Sequence, residues 1–147
     1  MTNALIEDLD RDVDEVDPSE AWRLLEADAH AVLIDVRTDA EWRYVGMPDL
    51  SALGKQPIQV SWQLFPDMRV NLEFEDELAS HGARRAQTLL FICRSGVRSR
   101  LAAELMAEAG YECCYNVAEG FEGDKDELGQ RGSRNGWKVH GLPWKQS

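Results

Sequence analysis

The segment 87–99 constrains this chain more than any other. Gln87-Thr88-Leu89-Leu90-Phe91-Ile92 reads as a buried strand, and Cys93-Arg94-Ser95-Gly96-Val97-Arg98-Ser99 follows it directly. Residues 100–109 then read as a helix ended by Gly110. A buried strand that feeds a helix through a short turn belongs in an α/β domain with a mainly parallel sheet. Ligand sites in such sheets form at the carboxyl ends of the strands. Cys93 stands at one such end, in front of a helix start. The free N–H groups and partial positive charge of a helix start favour a thiolate and a small anion beside it.

The length, 147 residues, suits one domain with its own core. No run approaches the roughly 18 apolar residues of a membrane span, and the N-terminus is acidic rather than basic-then-apolar, which argues against a signal peptide. Three cysteines make an odd count, and Cys113 and Cys114 are neighbours in a strand pattern, poorly placed to bridge. A reducing, cytoplasmic setting fits this better than a disulfide scaffold. The net charge is −11, unevenly spread: residues 1–30 carry ten carboxylates against Arg11 and Arg23. Between His81 and Ala103, by contrast, stand five arginines and no carboxylate. The overall field repels nucleic acid while the surroundings of Cys93 attract small anions. No Cys/His cluster has metal-ligand spacing, so neither a metal nor another cofactor is expected.

Residues 1–12 lack periodicity and are expected to form a flexible acidic, solvated N-terminus. Asp17-Pro18-Ser19-Glu20 and Thr38-Asp39-Ala40-Glu41 are capping boxes that open helices to about Ala27 and through Trp42. Between them, residues 31–36 read as a core strand. Gly46-Met47-Pro48 stops the second helix. Residues 57–62 read as a short strand, 71–80 as a helix and 112–117 as a strand. The final segment, 118–147, differs in texture, holding six of the eleven glycines and two of the five tryptophans.

These residues add up to a resemblance. Leu33-Ile34-Asp35-Val36-Arg37-Thr38-Asp39-Ala40-Glu41-Trp42 with Gly46 resembles the first signature of rhodanese-like domains, and Cys93–Ser99 resembles their active-site loop. Asn116-Val117 through Gly120-Phe121, then Trp137 and Gly141-Leu142-Pro143, resembles their closing segment. The resemblance implies a rhodanese fold, a five-stranded mainly parallel sheet with helices on both faces, over a single domain of residues 13–147. It also implies sulfurtransferase chemistry. Two departures stand out. Met47 occupies the place where the family has a histidine, with a longer loop to Pro57. An apparent insertion, Gly123 to Gly136, separates the glycine turn from Trp137. That insertion is placed to form part of the pocket rim, with Lys125, Arg131 and Arg134 adding positive charge and Asp124, Asp126 and Glu127 opposing it.

In the implied chemistry, Cys93 attacks a small anionic sulfane donor such as thiosulfate, holds the sulfur as a persulfide, and passes it to a thiol, or to cyanide in an assay. Arg94, Ser95, Gly96, Val97, Arg98 and Ser99 are the substrate-binding candidates. Backbone N–H groups form a nest for the persulfide, Arg94 and Arg98 position the anion, and Ser99 caps the helix. Arg37 is a candidate ion-pair partner for Glu41, with Asp35 and Arg37 chiefly structural. A protein sulfur acceptor or a homodimer stays open, as does a persulfide-carrier or docking role. A phosphatase or arsenate reductase shares a cysteine–arginine anion loop. Only four residues separate Cys93 from Arg98, one fewer than phosphate-sized loops have, and this counts against phosphoryl transfer.

Overall fold

The computed structural model describes residues 13–146. The expectation of a flexible segment 1–12 lies outside the described residues. In chain order the elements are β1 (Val13–Val16), α1 (Pro18–Ala27), β2 (Val32–Asp35), α2 (Asp39–Tyr44), β3 (Met47–Pro48), a 3-10 turn (Ser51–Leu53), β4 (Ile58–Gln59), β5 (Gln63–Leu64), β6 (Arg69–Val70), α3 (Phe74–Ser80), β7 (Thr88–Ile92), α4 (Val97–Glu108), β8 (Cys113–Val117) and β9 (Trp144–Lys145). Five strands form one sheet in the order β1-β8-β7-β2-β4, parallel throughout.

The central strand β7 explains the layering. Leu89, Phe91 and Cys93 point to one face, where they join Phe74 and Leu78 of α3 and Ala102, Ala103 and Met106 of α4. Leu90 and Ile92 point to the other, where they join Ala21 and Leu25 of α1 and the tail residues Phe121 and Trp137. This alternation makes an unbroken apolar run the right pattern for a strand covered on both sides. Small alanines on α4 let that helix lie close to the sheet, and its start falls beside Cys93.

Both predicted capping boxes form. Asp17 accepts from the Glu20 N–H at 2.8 Å, and the Thr38 hydroxyl accepts from the Glu41 N–H. Two helices begin elsewhere than periodicity predicted. Helix α3 starts at Phe74 because the Asn71 side chain takes the Glu73 N–H in a local turn, at 3.0 Å. Helix α4 starts at Val97, with Gly96 as its N-cap. Ser99 therefore sits inside the helix rather than capping it. The β5–β6 hairpin and the β3–β9 pair are too short to carry a strand signature, and the edge strand β1, Val13-Asp14-Glu15-Val16, does not alternate. Among the described residues no helix is long and apolar enough to cross a membrane.

Candidate active site

Cys93 follows the last residue of β7 and is about 1% exposed. Its Sγ receives the Gly96 N–H at 3.1 Å. Gly96 adopts φ +105°, and a Cβ there would lie 2.2 Å from the Ala118 carbonyl oxygen. Only glycine allows the chain to reverse this tightly and aim its N–H at the sulfur. Of the expected nest of amides, this is the one that reaches the sulfur.

The loop is held from outside by the segment after β8. The Phe121 N–H donates to the Cys93 carbonyl at 2.8 Å, and the Glu122 and Gly123 N–H groups donate to the Arg94 carbonyl at 3.0 and 3.1 Å. Gly120 makes this approach possible, since a Cβ there would stand 2.6 Å from the Arg94 carbonyl group. Backbone polar groups of a turn beside a buried thiol are thereby satisfied.

From beneath, the loop rests on a polar network that sequence reasoning missed. Asn116 is buried on β8 and pairs in register with Phe91. Its Nδ2 donates to Glu15 Oε1 at 2.8 Å and to the Gly96 carbonyl at 3.1 Å. Both partners are acceptors, so the amide nitrogen must face them and Oδ1 must face Ser99. The Ser99 Oγ lies 2.6 Å from that Oδ1 and 3.2 Å from Cys93 Sγ, with one proton to serve either. The available signal was a polar residue at a core-facing position of the strand beside the cysteine strand.

The arginines of the site divide by partner. Arg98 forms a bidentate pair with Glu41, Nη1 to Oε1 at 2.8 Å and Nη2 to Oε2 at 2.9 Å. Burial alone would raise the Glu41 carboxyl; the Arg98 hydrogen bonds and charge, the Thr38 N–H and the charge of Arg37 outweigh it and hold it below its usual range. Burial likewise opposes the Arg98 charge, but Glu41 and the nearby Cys93 and Asp35 raise its pKa overall. Arg37 does not pair with Glu41, which corrects the sequence expectation. It is fully buried, grips Asp35 through Nε at 2.9 Å and Nη2 at 2.8 Å, and donates to the Gly46 carbonyl. The two acids thus each take one guanidinium, and Asp35 is nearer to Arg37 because both flank the end of β2.

A pocket of about 410 Å³ reaches Cys93 and is lined by Arg94, Ser95, Val97, Arg98 and Glu41. Its outer walls come from two distant segments: Gln63 and Met68 of the β5–β6 hairpin, and Arg131 of the insertion. The insertion therefore contributes to the rim as expected, through Arg131; Lys125 and Arg134 do not line this pocket. The base of the hairpin is fixed by Asn71, whose N–H bonds the Trp62 carbonyl and whose amide bonds the Ser61 carbonyl. Arg100 points away from the pocket toward Glu15 and Glu104. Among the described residues no group of His, Cys, Asp and Glu could hold a metal ion. All three cysteines are free thiols.

Comparison with known proteins places this geometry among relatives. The family model described as the STR4 middle domain matches residues 14–147. The uncharacterized protein RP600 of Rickettsia prowazekii is 37% identical over 127 residues, which are 86% of this chain and 92% of that one. The chloroplastic rhodanese-like domain-containing protein 4 of Arabidopsis thaliana is 29% identical over 84% of this chain and 24% of its own length. The thiosulfate sulfurtransferase GlpE of Actinobacillus pleuropneumoniae is 27% identical over 88% of this chain and 90% of its own. The crystal structure of Rv0390 from M. tuberculosis superposes with a TM-score of 0.85 at 46% identity, covering 91% of this chain and 98% of that one.

Proposed function

We propose, for a chain that belongs to the STR4 middle-domain family and carries a rhodanese-like domain, that it is a sulfurtransferase working through a persulfide on Cys93. One observation carries the reading. A free thiol at the carboxyl end of the central strand takes a backbone N–H at 3.1 Å, inside a pocket whose charged lining is three arginines and one carboxylate. That environment suits a sulfur anion and an anionic donor. The similarity to a thiosulfate sulfurtransferase over nearly the whole of both chains supports it.

In the first half-reaction the Cys93 thiolate attacks the outer sulfur of thiosulfate. The sulfur–sulfur bond of the donor breaks and sulfite leaves with the electron pair. In the second, an acceptor thiolate attacks the outer sulfur of the persulfide, and the Cys93 thiolate is restored. Neither step needs an external acid or base, because each leaving group departs as a stable anion. Gly96 N–H and the start of α4 stabilise the charge on the sulfur. The reading calls for a reducing, cytoplasmic setting that keeps Cys93 a thiol.

A phosphatase reading is less well supported. With Val97, Arg98 and Ser99 already in α4, the turn after Cys93 is only three residues long, Arg94 to Gly96. Moreover Arg98 is engaged by Glu41 rather than left to grip a phosphoryl group. Incubation with thiosulfate followed by intact-mass spectrometry tests the proposal. Wild type should gain one sulfur atom and Cys93→Ala none; no gain in wild type, with turnover of an aryl phosphate, would refute it.

A further inference from the structure

Resting on that sulfur-transfer reading, we infer that the acceptor is an organic thiol bearing carboxylates, and that Arg131 of the insertion, with Arg94, selects it. Three features of the pocket lead there. The first is size. An open-sided pocket of about 410 Å³ has room for an organic ligand as well as for an inorganic donor of five atoms. The second is charge. Ion pairs among the described residues engage Arg37, Arg69, Arg98, Arg100 and His140, but neither Arg94 nor Arg131. Two pocket cations are thus left for a ligand, while the Arg98 charge is matched by Glu41. The third is the rest of the lining, to which Met68, Val97 and Gln63 contribute apolar and uncharged residues that suit a carbon chain.

The insertion is built to hold Arg131 in place. Its Nη1 donates to the Gly123 carbonyl at 2.7 Å, and the Gly123 N–H is itself bonded to the Arg94 carbonyl. The guanidinium keeps its other N–H groups for a carboxylate. Two of the three acids of the insertion, Asp124 and Asp126, are engaged within it. Asp126 accepts from the Leu128 and Gln130 N–H groups and the Ser133 hydroxyl, and Asp124 accepts from the Asn135 amide. The Gly132 N–H donates to the Glu122 carbonyl at 2.9 Å, closing the loop on the residues that clasp the active-site turn. Arg131 is thereby coupled to the Cys93 loop through a few backbone bonds, not carried on a free arm.

The step is the second half-reaction. The carboxylated thiolate attacks the outer sulfur of the Cys93 persulfide, a new sulfur–sulfur bond forms to the acceptor, and the bond to Cys93 Sγ breaks. The electron pair returns to Cys93, and the product is the acceptor's persulfide, with no oxidant or reductant consumed.

The test uses protein loaded with thiosulfate, freed of donor, and mixed in single turnover with glutathione, which has two carboxylates, or with 2-mercaptoethanol, which has none. Sulfur loss is followed by intact mass and expressed per loaded protein. The ratio of the two discharge rates cancels the reactivity of the persulfide itself, and its change from wild type to variant cancels the intrinsic reactivity of each thiol. Arg131→Ala should lower the glutathione-to-mercaptoethanol ratio about tenfold, the scale of one lost charge-assisted contact at a half-exposed site. Arg131→Glu should lower it further and Arg131→Lys should keep most of it. A ratio unchanged in both the Ala and Glu variants overturns the inference while the sulfur-transfer reading stands. If wild-type Cys93 takes up no sulfur, that reading falls and takes this inference with it.

Discussion

Replacing Asn116 tests whether the network beneath the loop supports the sulfur site. Asn116→Ala removes three hydrogen bonds at once: to Glu15 at 2.8 Å, to the Gly96 carbonyl at 3.1 Å and from Ser99 at 2.6 Å. One involves a charged partner and two are neutral, so the expected loss is about 3 kcal/mol. With a urea m-value of about 2 kcal/mol/M, the unfolding midpoint should fall by about 1.5 M. Asn116→Asp separates packing from charge, because it keeps the acceptor toward Ser99 and sets a second carboxylate 2.8 Å from Glu15. At an effective dielectric of about 20 that repulsion approaches 6 kcal/mol, and the 40% exposure of the Glu15 side chain and its ion pair with Arg100 reduce it. The pair should therefore bind a proton, with a folded-state pKa raised above the unfolded value. The deficit of Asn116→Asp is then full at high pH and shrinks as pH falls through that raised value. The alanine deficit should not change in that way. Urea titrations at pH 8 and pH 5 decide the matter, together with the thiosulfate loading rate, which both variants should lower as Gly96 loses its support. Two variants within about 0.5 kcal/mol of wild type, loading at the wild-type rate, would refute the reasoning.

Two further outcomes follow from the loop and its ion pair. The Glu41 carboxyl is held below its usual range in the folded state, so the stability it contributes is present above the unfolded value of about 4.3 and is lost as pH falls through the folded one. Glu41→Gln should cost about 1–2 kcal/mol at pH 7, and that gap should close in acid; a gap of constant size between pH 7 and pH 3.5 in urea unfolding would count against the pair. Gly96→Ala forces a Cβ to within 2.2 Å of the Ala118 carbonyl at φ +105°, so the turn must move and the Gly96 N–H must leave the sulfur. Sulfur loading by mass spectrometry should slow at least about tenfold, with a stability loss of about 2 kcal/mol or more, and normal loading would show that this N–H is dispensable.

Much of the fold was legible because local physics writes it into local sequence. The run 87–92 reads as a doubly covered strand, and the capping boxes at Asp17 and Thr38 place two helix starts to the residue. Cys93, its loop and the cationic surroundings were visible for the same reason: they are contiguous. Periodicity begins at Arg100, three residues after the observed helix start at Val97, because a glycine at positive φ caps the helix earlier. The strands β1, β3, β5, β6 and β9 were not apparent, since a short strand without an apolar run of its own is stabilised by its partner across the sheet.

The sequence by itself determined the chemistry on offer: a thiol, a tight turn and a set of arginines in an acidic chain. Tertiary structure decided what each group does with it. Glu41, 57 residues before Arg98, neutralises that arginine, and Asp35 rather than Glu41 takes Arg37. Asn116, on a neighbouring strand, competes with the Cys93 sulfur for the one Ser99 proton. Gln63, Met68 and Arg131 become walls of one pocket although they lie far apart along the chain. Charge and hydrogen-bond partners are set by distances of about 3 Å in space, and a linear sequence encodes those distances only through the fold.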